Sequence, residues 1–311
     1  MGHRNPLSIM NQTEIYKREA ETLLKRATTA SVAVALILIG LKTWGYVESG
    51  SVAIFGTLLD SVMDSLSSII IFIAVRFSIA PADEDHKFGH GKAEAIAGLL
   101  QAFIIAATSL LLMYEVFDKI KNPEIIEETE LGLGIIAASI VLTVMLVLYQ
   151  RYVAKKTKSI AIEADGMHYT GDILLNLGVA ASLVLGGYFN IIYADPIFGG
   201  IACLYLLHSA YQVFVLSTDV LMDKEMDDDE KQNIIDIIKS HDRVIGIHEL
   251  RTRHSGLNIF IQFHMELASG ISLHDAHTIS DQVEDEIIKS YPTAEVFIHA
   301  DPEEIAEEEH S

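Results

Sequence analysis

Two carboxylates interrupt an apolar run that is long enough to cross a bilayer. Asp60 and Asp64 lie inside the stretch Val52–Val75. An aspartate at the centre of a membrane helix costs about 2.5–3.5 kcal/mol on insertion scales, so two of them require a functional explanation. Because four residues separate them, an α-helix places both side chains on one face, one turn apart.

A second apolar run carries a matching pair, His168 and Asp172, at the same spacing. Two facing helices with these pairs would supply four ligands, and zinc accepts imidazole nitrogen and carboxylate oxygen in a tetrahedral set. The pattern predicts an intramembrane metal site formed by Asp60, Asp64, His168 and Asp172. The alternative, in which these groups pair with one another or cap helices, is disfavoured because packing does not need two such pairs. Three carboxylates in one cavity repel one another, so protons and metal should compete for them, as an exchanger requires.

The elements that must position these ligands are membrane helices. The 311-residue chain is 50% hydrophobic with a mean hydropathy of +0.32, and its apolar residues form blocks of about 20, the length that spans the hydrocarbon core. Lys and Arg collect in the amino-terminal tail and after the second and fourth blocks, so the positive-inside rule predicts that both termini are cytoplasmic. Six spans are predicted: Ala27–Val47, Val52–Val75, Ala93–Phe117, Leu131–Tyr149, Ile160–Tyr188 and Tyr193–Leu216.

A soluble domain follows the last span. Residues 223–311 carry 22 Asp and Glu against 7 Lys and Arg, which argues against nucleic-acid binding and suits cations, although it also fits a surface that is simply solvated. Alternating and helical patterns predict the order αββαβ, a ferredoxin-like, metallochaperone-like α+β sandwich. The predicted organisation is a polar cytoplasmic amino-terminal tail (residues 1–26), a six-helix transmembrane transport domain (27–222), a cytoplasmic metal-binding regulatory domain (223–301) and an acidic carboxyl-terminal tail (302–311).

Two further groups of residues could bind metal. Asp83, His86 and His90 lie in the loop after the second span, although a loop of this composition is often merely solvated. In the soluble domain, strand ends and one helix could bring together five ligands, enough for two ions if a carboxylate bridges: His248, His264, His277, His299 and Asp301. Taken singly, each of these histidines fits an ordinary surface position, and only their grouping favours a metal site. The single cysteine leaves neither a disulfide framework nor a thiolate site.

The sequence resembles the cation diffusion facilitator family, and within it the bacterial zinc/ferrous-iron efflux branch. The resemblance covers nearly the whole chain and rests on motifs spread along it: Leu59-Asp60 to Asp64, Phe88-Gly89-His90-Gly91-Lys92-Ala93-Glu94, Glu163-Ala164-Asp165 to His168 and Asp172, Asn176, Leu250-Arg251-Thr252-Arg253, Phe260-Ile261-Gln262-Phe263-His264 and Ile298-His299 to Asp301-Pro302. Together these motifs are highly specific.

This resemblance implies a homodimeric secondary transporter of the bacterial inner membrane, not an enzyme, that exports Zn²⁺ in exchange for protons by alternating access. Cd²⁺ and Fe²⁺ are further candidate cargoes. The membrane group would be the transport site, the group Asp83, His86 and His90 a loop site, and the five ligands of the soluble domain a binuclear regulatory site at the dimer interface. The resemblance also implies a salt bridge between Lys92 and Asp223 that joins the two domains.

Other functions stay open at this point. A metal-gated cation channel would need the same intramembrane charges, but metal would follow its gradient without proton counterflow. A member of this family whose physiological metal is Fe²⁺ or another transition metal is a further alternative. A membrane-bound metallohydrolase would use the His/Asp cluster of the soluble domain, yet the sequence offers no general base or nucleophile elbow there.

Overall fold

Eight helices and three strands form the described part of the chain. The computed structural model describes residues 6–50, 52–122, 130–189, 191 and 193–303. The elements in chain order are α1 (Pro6–Ser49), α2 (Val52–Ser78), α3 (Ala93–Lys121), α4 (Glu130–Thr157), α5 (Ile160–Phe189), α6 (Ala194–Leu221), α7 (Asp228–Lys239), β1 (Val244–Ser255), β2 (Asn258–Leu267), α8 (Leu273–Ser290) and β3 (Ala294–Pro302).

Helices α1 to α6 are each long and apolar enough to cross a membrane. This confirms the predicted six spans. The predicted boundary at residue 26 does not coincide with a break, because α1 begins at Pro6 and runs through it to Ser49. Proline is tolerated in the first turn of a helix, and the polar residues that follow include good helix formers such as Glu, Lys and Arg. Residues 304–311, most of the predicted acidic tail, lie outside the described residues.

The chain divides into two compact units. The membrane unit comprises Leu23–Thr218, and the carboxyl-terminal domain begins at Asp219 and is grouped with the start of the chain up to Thr22. In the membrane unit, α5 packs on α2, α3 and α4. Two glycines of α5 also let α6 approach closely: a Cβ added at Gly171 would lie 2.1 Å from Leu206, and one at Gly178 would lie 2.9 Å from Phe198. Small residues allow this kind of contact between membrane helices.

A buried polar network ties four helices together around α5. The Asp165 side chain is fully buried and accepts a hydrogen bond of 2.7 Å from Nε2 of Gln150 on α4. The same nitrogen lies 2.9 Å from the Ser31 hydroxyl on α1, and the Ser68 hydroxyl on α2 lies 2.8 Å from the Tyr169 hydroxyl. Polar side chains in membrane helices face the bundle interior, where they find partners. These contacts fix the turn of α5 that precedes His168.

The carboxyl-terminal domain is an αββαβ unit with a sheet of order β1-β2-β3. Strands β1 and β2 form an antiparallel hairpin, and β3 pairs parallel to β2 after the crossover through α8. This confirms the predicted α+β order. The core contains alternate residues of β2 and apolar residues of both helices: Ile261, Phe263, Met265, Ile234, Ile238, Ile279, Val283 and Ile287. Because side chains alternate along a strand, His264 lies on the face opposite that core.

Candidate metal centres

The membrane unit brings His168 of α5 between two carboxylates. Its Nε2 lies 3.0 Å from Oδ1 of Asp64 on α2 and 3.9 Å from Oδ2 of Asp172, one turn along α5. The ligand atoms of all three residues lie within 4.8 Å of one another. The histidine is 7% exposed, and its Nδ1 has no hydrogen-bond partner among the described residues. One imidazole and two carboxylates form a donor set that suits a divalent transition metal.

Asp60, the fourth predicted ligand, lies outside this three-residue group. It is on α2 one turn before Asp64, and it is exposed in the single chain. Residues four apart on a helix are separated by about 6 Å along the axis and rotated by about 40°, so sharing a face does not guarantee sharing an ion. Its role as a ligand therefore stays a prediction.

The loop between α2 and α3 collects Asp83, His86 and His90. Oδ1 of Asp83 accepts hydrogen bonds from the backbone N–H groups of Asp85 (3.0 Å) and His86 (2.6 Å), while Oδ2 lies 3.2 Å from Nε2 of His90. The Nδ1 atom of His86 lies 3.3 Å from Oδ1. Gly89 has a φ of 77°, a conformation that glycine adopts without strain. The ligand atoms of the three residues lie within 4.8 Å of one another, so the turn holds them ready for one ion.

Electrostatics favour an anionic Asp83. Its pKa is lowered chiefly because the backbone N–H of His86 donates to the carboxylate, with further help from the N–H of Asp85 and the His86 side chain. His90 is the buried member of the loop, at 8% exposure, and its ring lies 4.5 Å from the Phe77 ring. The loop therefore offers one anchored imidazole and one fixed negative charge.

Three histidines of the carboxyl-terminal domain form one row across its sheet. In the strand register, His248 of β1 lies opposite His264 of β2, and His264 lies opposite His299 of β3. Asp301 is two residues beyond His299 and therefore on the same face. Its Oδ2 lies 2.8 Å from Nδ1 of His264 and 3.6 Å from Nε2 of His248, and its Oδ1 lies 3.1 Å from Nε2 of His299. A carboxylate between three imidazoles is suited to bridging metal ions.

Glu266, which the sequence reasoning missed, completes this face. Its Oε1 lies 2.9 Å from Nδ1 of His248, the kind of carboxylate contact that orients a metal-binding imidazole. The signal was available, because Glu266 lies two residues from His264 on a predicted strand. The β1 register shifts between His248 and Arg251, where Glu249 has a φ of 49°. This irregularity re-aims the strand beside the row of histidines.

His277 does not join the other four predicted ligands within one chain. It lies on α8, and its Nδ1 is 3.6 Å from Oδ1 of Asp281. The His277 side chain is 72% exposed. Helix α8 packs on the core face of the sheet, whereas the histidine row lies on the opposite face.

The predicted pair Lys92 and Asp223 would join the two units and stays a prediction. Inside the carboxyl-terminal domain, Oδ2 of Asp223 lies 3.3 Å from Nη1 of Arg253. Asp223 also has a φ of 56°, a conformation uncommon for a residue with a side chain.

Comparisons with known proteins match both parts of the chain. Residues 28–222 match the cation efflux transmembrane domain, and residues 226–303 match the cytoplasmic domain of cation efflux proteins. The cation-efflux pump FieF of Shewanella oneidensis is 40% identical over 296 residues, which cover 95% of this chain and 98% of that protein. The FieF pump of Yersinia pestis is 39% identical over 279 residues, 90% of this chain and 93% of that protein. A crystal structure of the cytosolic domain of a cation diffusion facilitator family protein matches 24% of this chain and 92% of its own at 27% identity, with a TM-score of 0.23.

Proposed function

This chain belongs to the cation diffusion facilitator family, in the branch of the FieF cation-efflux pumps, and we propose that it exports divalent transition metals, chiefly Zn²⁺, from the cytoplasm in exchange for protons. It is a multi-pass membrane protein. We place it in the bacterial inner membrane as a transporter rather than an enzyme, with both termini in the cytoplasm, because basic residues flank the predicted cytoplasmic ends of its spans.

The observation that carries this proposal is the position of the His168 Nε2 atom. It lies 3.0 Å from Asp64 and 3.9 Å from Asp172, and a ring nitrogen can hold either a proton or a metal ion. Each carboxylate oxygen can likewise hold either a proton or a metal ion. Metal binding therefore releases protons, and protons that enter from the far side displace the metal. This mutual exclusion at named atoms is the coupling that an exchanger needs.

The donor set also supports a choice of cargo. Imidazole nitrogen together with carboxylate oxygen suits Zn²⁺, Cd²⁺, Fe²⁺ and Co²⁺, whereas an all-oxygen set suits Mn²⁺ and Mg²⁺. We rank Zn²⁺ first because its four-coordinate chemistry fits Asp64, His168 and Asp172 with Asp60 as the fourth ligand. Fe²⁺ and Cd²⁺ are the next candidates.

We propose that the protein works as a homodimer. His277 lies on α8, away from the row formed by His248, His264 and His299, so a five-ligand site would need His277 from a second chain. Zn²⁺ bound there, bridged by Asp301, would hold two protomers together and shift the balance between conformations by mass action, which is regulation rather than a transport step.

The loop group has a different proposed role. Asp83, His86 and His90 lie between two helices that each contribute to the membrane unit, and their binding of metal would order that connection. The predicted salt bridge between Lys92 and Asp223 would couple the membrane unit to the regulatory domain.

Proton counterflow is the decisive test. The purified full-length protein is reconstituted into vesicles that contain a pH-sensitive dye, and Zn²⁺ is added outside. We expect the lumen to become alkaline as Zn²⁺ enters, because protons leave in exchange, and we expect Cd²⁺ and Fe²⁺ to act similarly while Mn²⁺ acts weakly. Protein-free vesicles supply the baseline.

Zinc uptake without a change of luminal pH would overturn the exchange mechanism and favour a metal-gated channel. An imposed pH step distinguishes an absent proton flux from one hidden by a leak, because vesicles that hold the step are tight enough to report the exit of protons.

A further inference from the structure

Helix α1 carries a buried lysine beside the membrane metal centre. Lys42 is 9% exposed, and it is the only charged residue between Ala27 and Val47. Its Nζ donates hydrogen bonds to the backbone carbonyl oxygen of Thr57 (3.0 Å) and to the Ser61 hydroxyl (2.7 Å), both on α2. A lysine in the middle of a membrane span is costly to insert, so its presence asks for a functional explanation. The two acceptors are neutral, so they solvate this ammonium without balancing its charge.

The charges that balance it are the carboxylates of the metal centre. Ser61 and Asp64 are three residues apart and so share a face of α2, which places the ammonium within a turn of that carboxylate. Asp60 adjoins Ser61 in the sequence, and Asp172 lies with Asp64 in the three-residue group of the membrane unit. These are the three predicted acidic ligands of the transport site.

Charge counting shows what the lysine changes. With Asp60 as the predicted third carboxylate, the carboxylates and a neutral His168 carry a charge of minus three, and the Lys42 ammonium reduces this to minus two. A divalent cation then brings the site to neutrality within the low-dielectric interior. Without the lysine, the metal-loaded site would keep one uncompensated negative charge, and its attraction for the cation would be stronger.

We propose that Lys42 is a fixed countercharge that weakens metal binding at the transport site, so that the ion can be released. This inference rests on the proposed transport function. A protonated lysine has no lone pair to offer a metal, and its hydrogen bonds to α2 hold it beside the ligands. It would repel the cation in every conformation in which α1 and α2 stay together. A carrier needs affinity that is sufficient for loading and low enough for unloading, and a built-in repulsion supplies the second requirement.

Two substitutions test the charge. Lys42→Gln keeps a donor toward Thr57 and Ser61 but removes the charge, and Lys42→Met removes the donor as well. Zinc binding to full-length protein in detergent is measured by calorimetry, and the transport site is the component that Asp64→Ala removes. We expect both Lys42 variants to bind zinc at this component about tenfold more tightly. In vesicles, the KM for zinc should fall and kcat should fall with it, because release becomes slower.

Matched variants separate charge from packing. Lys42→Arg keeps the charge and should leave the affinity within about threefold of the wild type. Lys119→Gln removes one charge from the far part of α3, where Lys119 lies 2.9 Å from Asp195, and should leave this component unchanged. Structural damage would weaken zinc binding, so tighter binding is a result that misfolding cannot produce.

The failures are distinguishable. If Asp64→Ala removes no binding component, the proposed transport site is wrong. If Asp64→Ala removes it while both Lys42→Gln and Lys42→Met bind zinc as weakly as the wild type or more weakly, the transport site stands and the countercharge role of Lys42 is overturned.

Discussion

The His/Asp group of the membrane unit and that of the carboxyl-terminal domain are built on different scaffolds. In the membrane unit, Asp64 and His168 stand on separate helices, α2 and α5, and the backbone hydrogen bonds of a helix are internal to it. In the carboxyl-terminal domain, His248 and His264 stand on strands whose hydrogen bonds run between them. Two helices can therefore slide past each other without breaking a backbone hydrogen bond, whereas displaced strands lose their ladder.

The contacts that orient the ligating imidazoles also differ between the two groups. Nδ1 of His248 lies 2.9 Å from the carboxylate of Glu266, which fixes the ring. Nδ1 of His168 is buried and has no hydrogen-bond partner within the described ranges. Ligands on separate helices suit a site that must change its geometry, and ligands on paired strands suit a site that must keep its geometry. The comparison supports the proposal that similar donor atoms serve transport in one place and sensing in the other.

The largest expected effect comes from removing a ligand of the helix-borne group. Asp64→Ala leaves His168 without its 3.0 Å partner and leaves the cation with one carboxylate fewer. We expect coupled zinc transport in vesicles to fall by at least about a hundredfold, because the removed contact is charged and partly buried. The carboxyl-terminal domain should still bind zinc, since its ligands are on another unit.

His264→Ala is the reciprocal variant. It should remove zinc binding by the carboxyl-terminal domain. The transport site should still bind the ion, and competition between zinc and protons at that site would show this. Surviving exchange in Asp64→Ala would mean that the transport site lies elsewhere, and loss of exchange and domain binding together would contradict the separation of the two groups.

A smaller effect is expected from weakening the contact that orients a ligand in the carboxyl-terminal domain. Glu266→Gln keeps the shape of the side chain but removes its charge and so weakens its hydrogen bond to the His248 ring. We expect the zinc affinity of the carboxyl-terminal domain to fall by about tenfold, the lower end of the range for second partners of ligating histidines. Titration of the full-length protein with zinc measures this.

Glu295→Gln is the matched control, because Glu295 is exposed on β3 and lies away from the histidine row. An unchanged affinity in Glu266→Gln, or an equal loss in Glu295→Gln, would show that Glu266 does not orient His248. The first result would also weaken the contrast with His168.

Local patterns predicted the elements well. Blocks of apolar residues fixed six spans, and alternation fixed the hairpin of β1 and β2, because both signals depend on neighbours in the sequence. The pairing of Asp64 with His168 also followed from sequence spacing, since buried charges in a span need a partner.

What could not be predicted depends on distant contacts. Asp60 lies outside the three-residue group, because membership depends on how α2 packs against α5, which no local pattern encodes. The register of β3 against β2, which places His299 beside His264, is set only after the α8 crossover. Lys42 did leave a signal, as a single charge inside an apolar run, and that signal was overlooked.

The smallest expected effect concerns the loop group Asp83, His86 and His90. Its ligands lie in a turn between α2 and α3, neither on packed helices nor on paired strands. Asp83→Asn keeps an oxygen that can accept the backbone N–H groups of His86 and Asp85, so the turn should persist, but it removes the charge that faces His90. Because the Asp83 side chain is 51% exposed, water and salt screen this charge, and we expect zinc binding at the loop to weaken by only about threefold to tenfold. Asp85→Asn, an exposed neighbour in the same loop, is the control and should change nothing.

The pH dependence of this loop has a definite sign. The backbone N–H of His86 holds the pKa of Asp83 below its ordinary value, so the carboxylate stabilises the folded turn at every pH above the ordinary aspartate value of about 3.9. That contribution should disappear only as the pH falls through the lowered pKa. Carbon-detected NMR titration of the Asp83 carboxyl should therefore give a midpoint below the ordinary aspartate value. A midpoint at or above the ordinary value would mean that the turn does not hold Asp83 as an anion, and the loop would then be a solvated connection rather than a third place for metal.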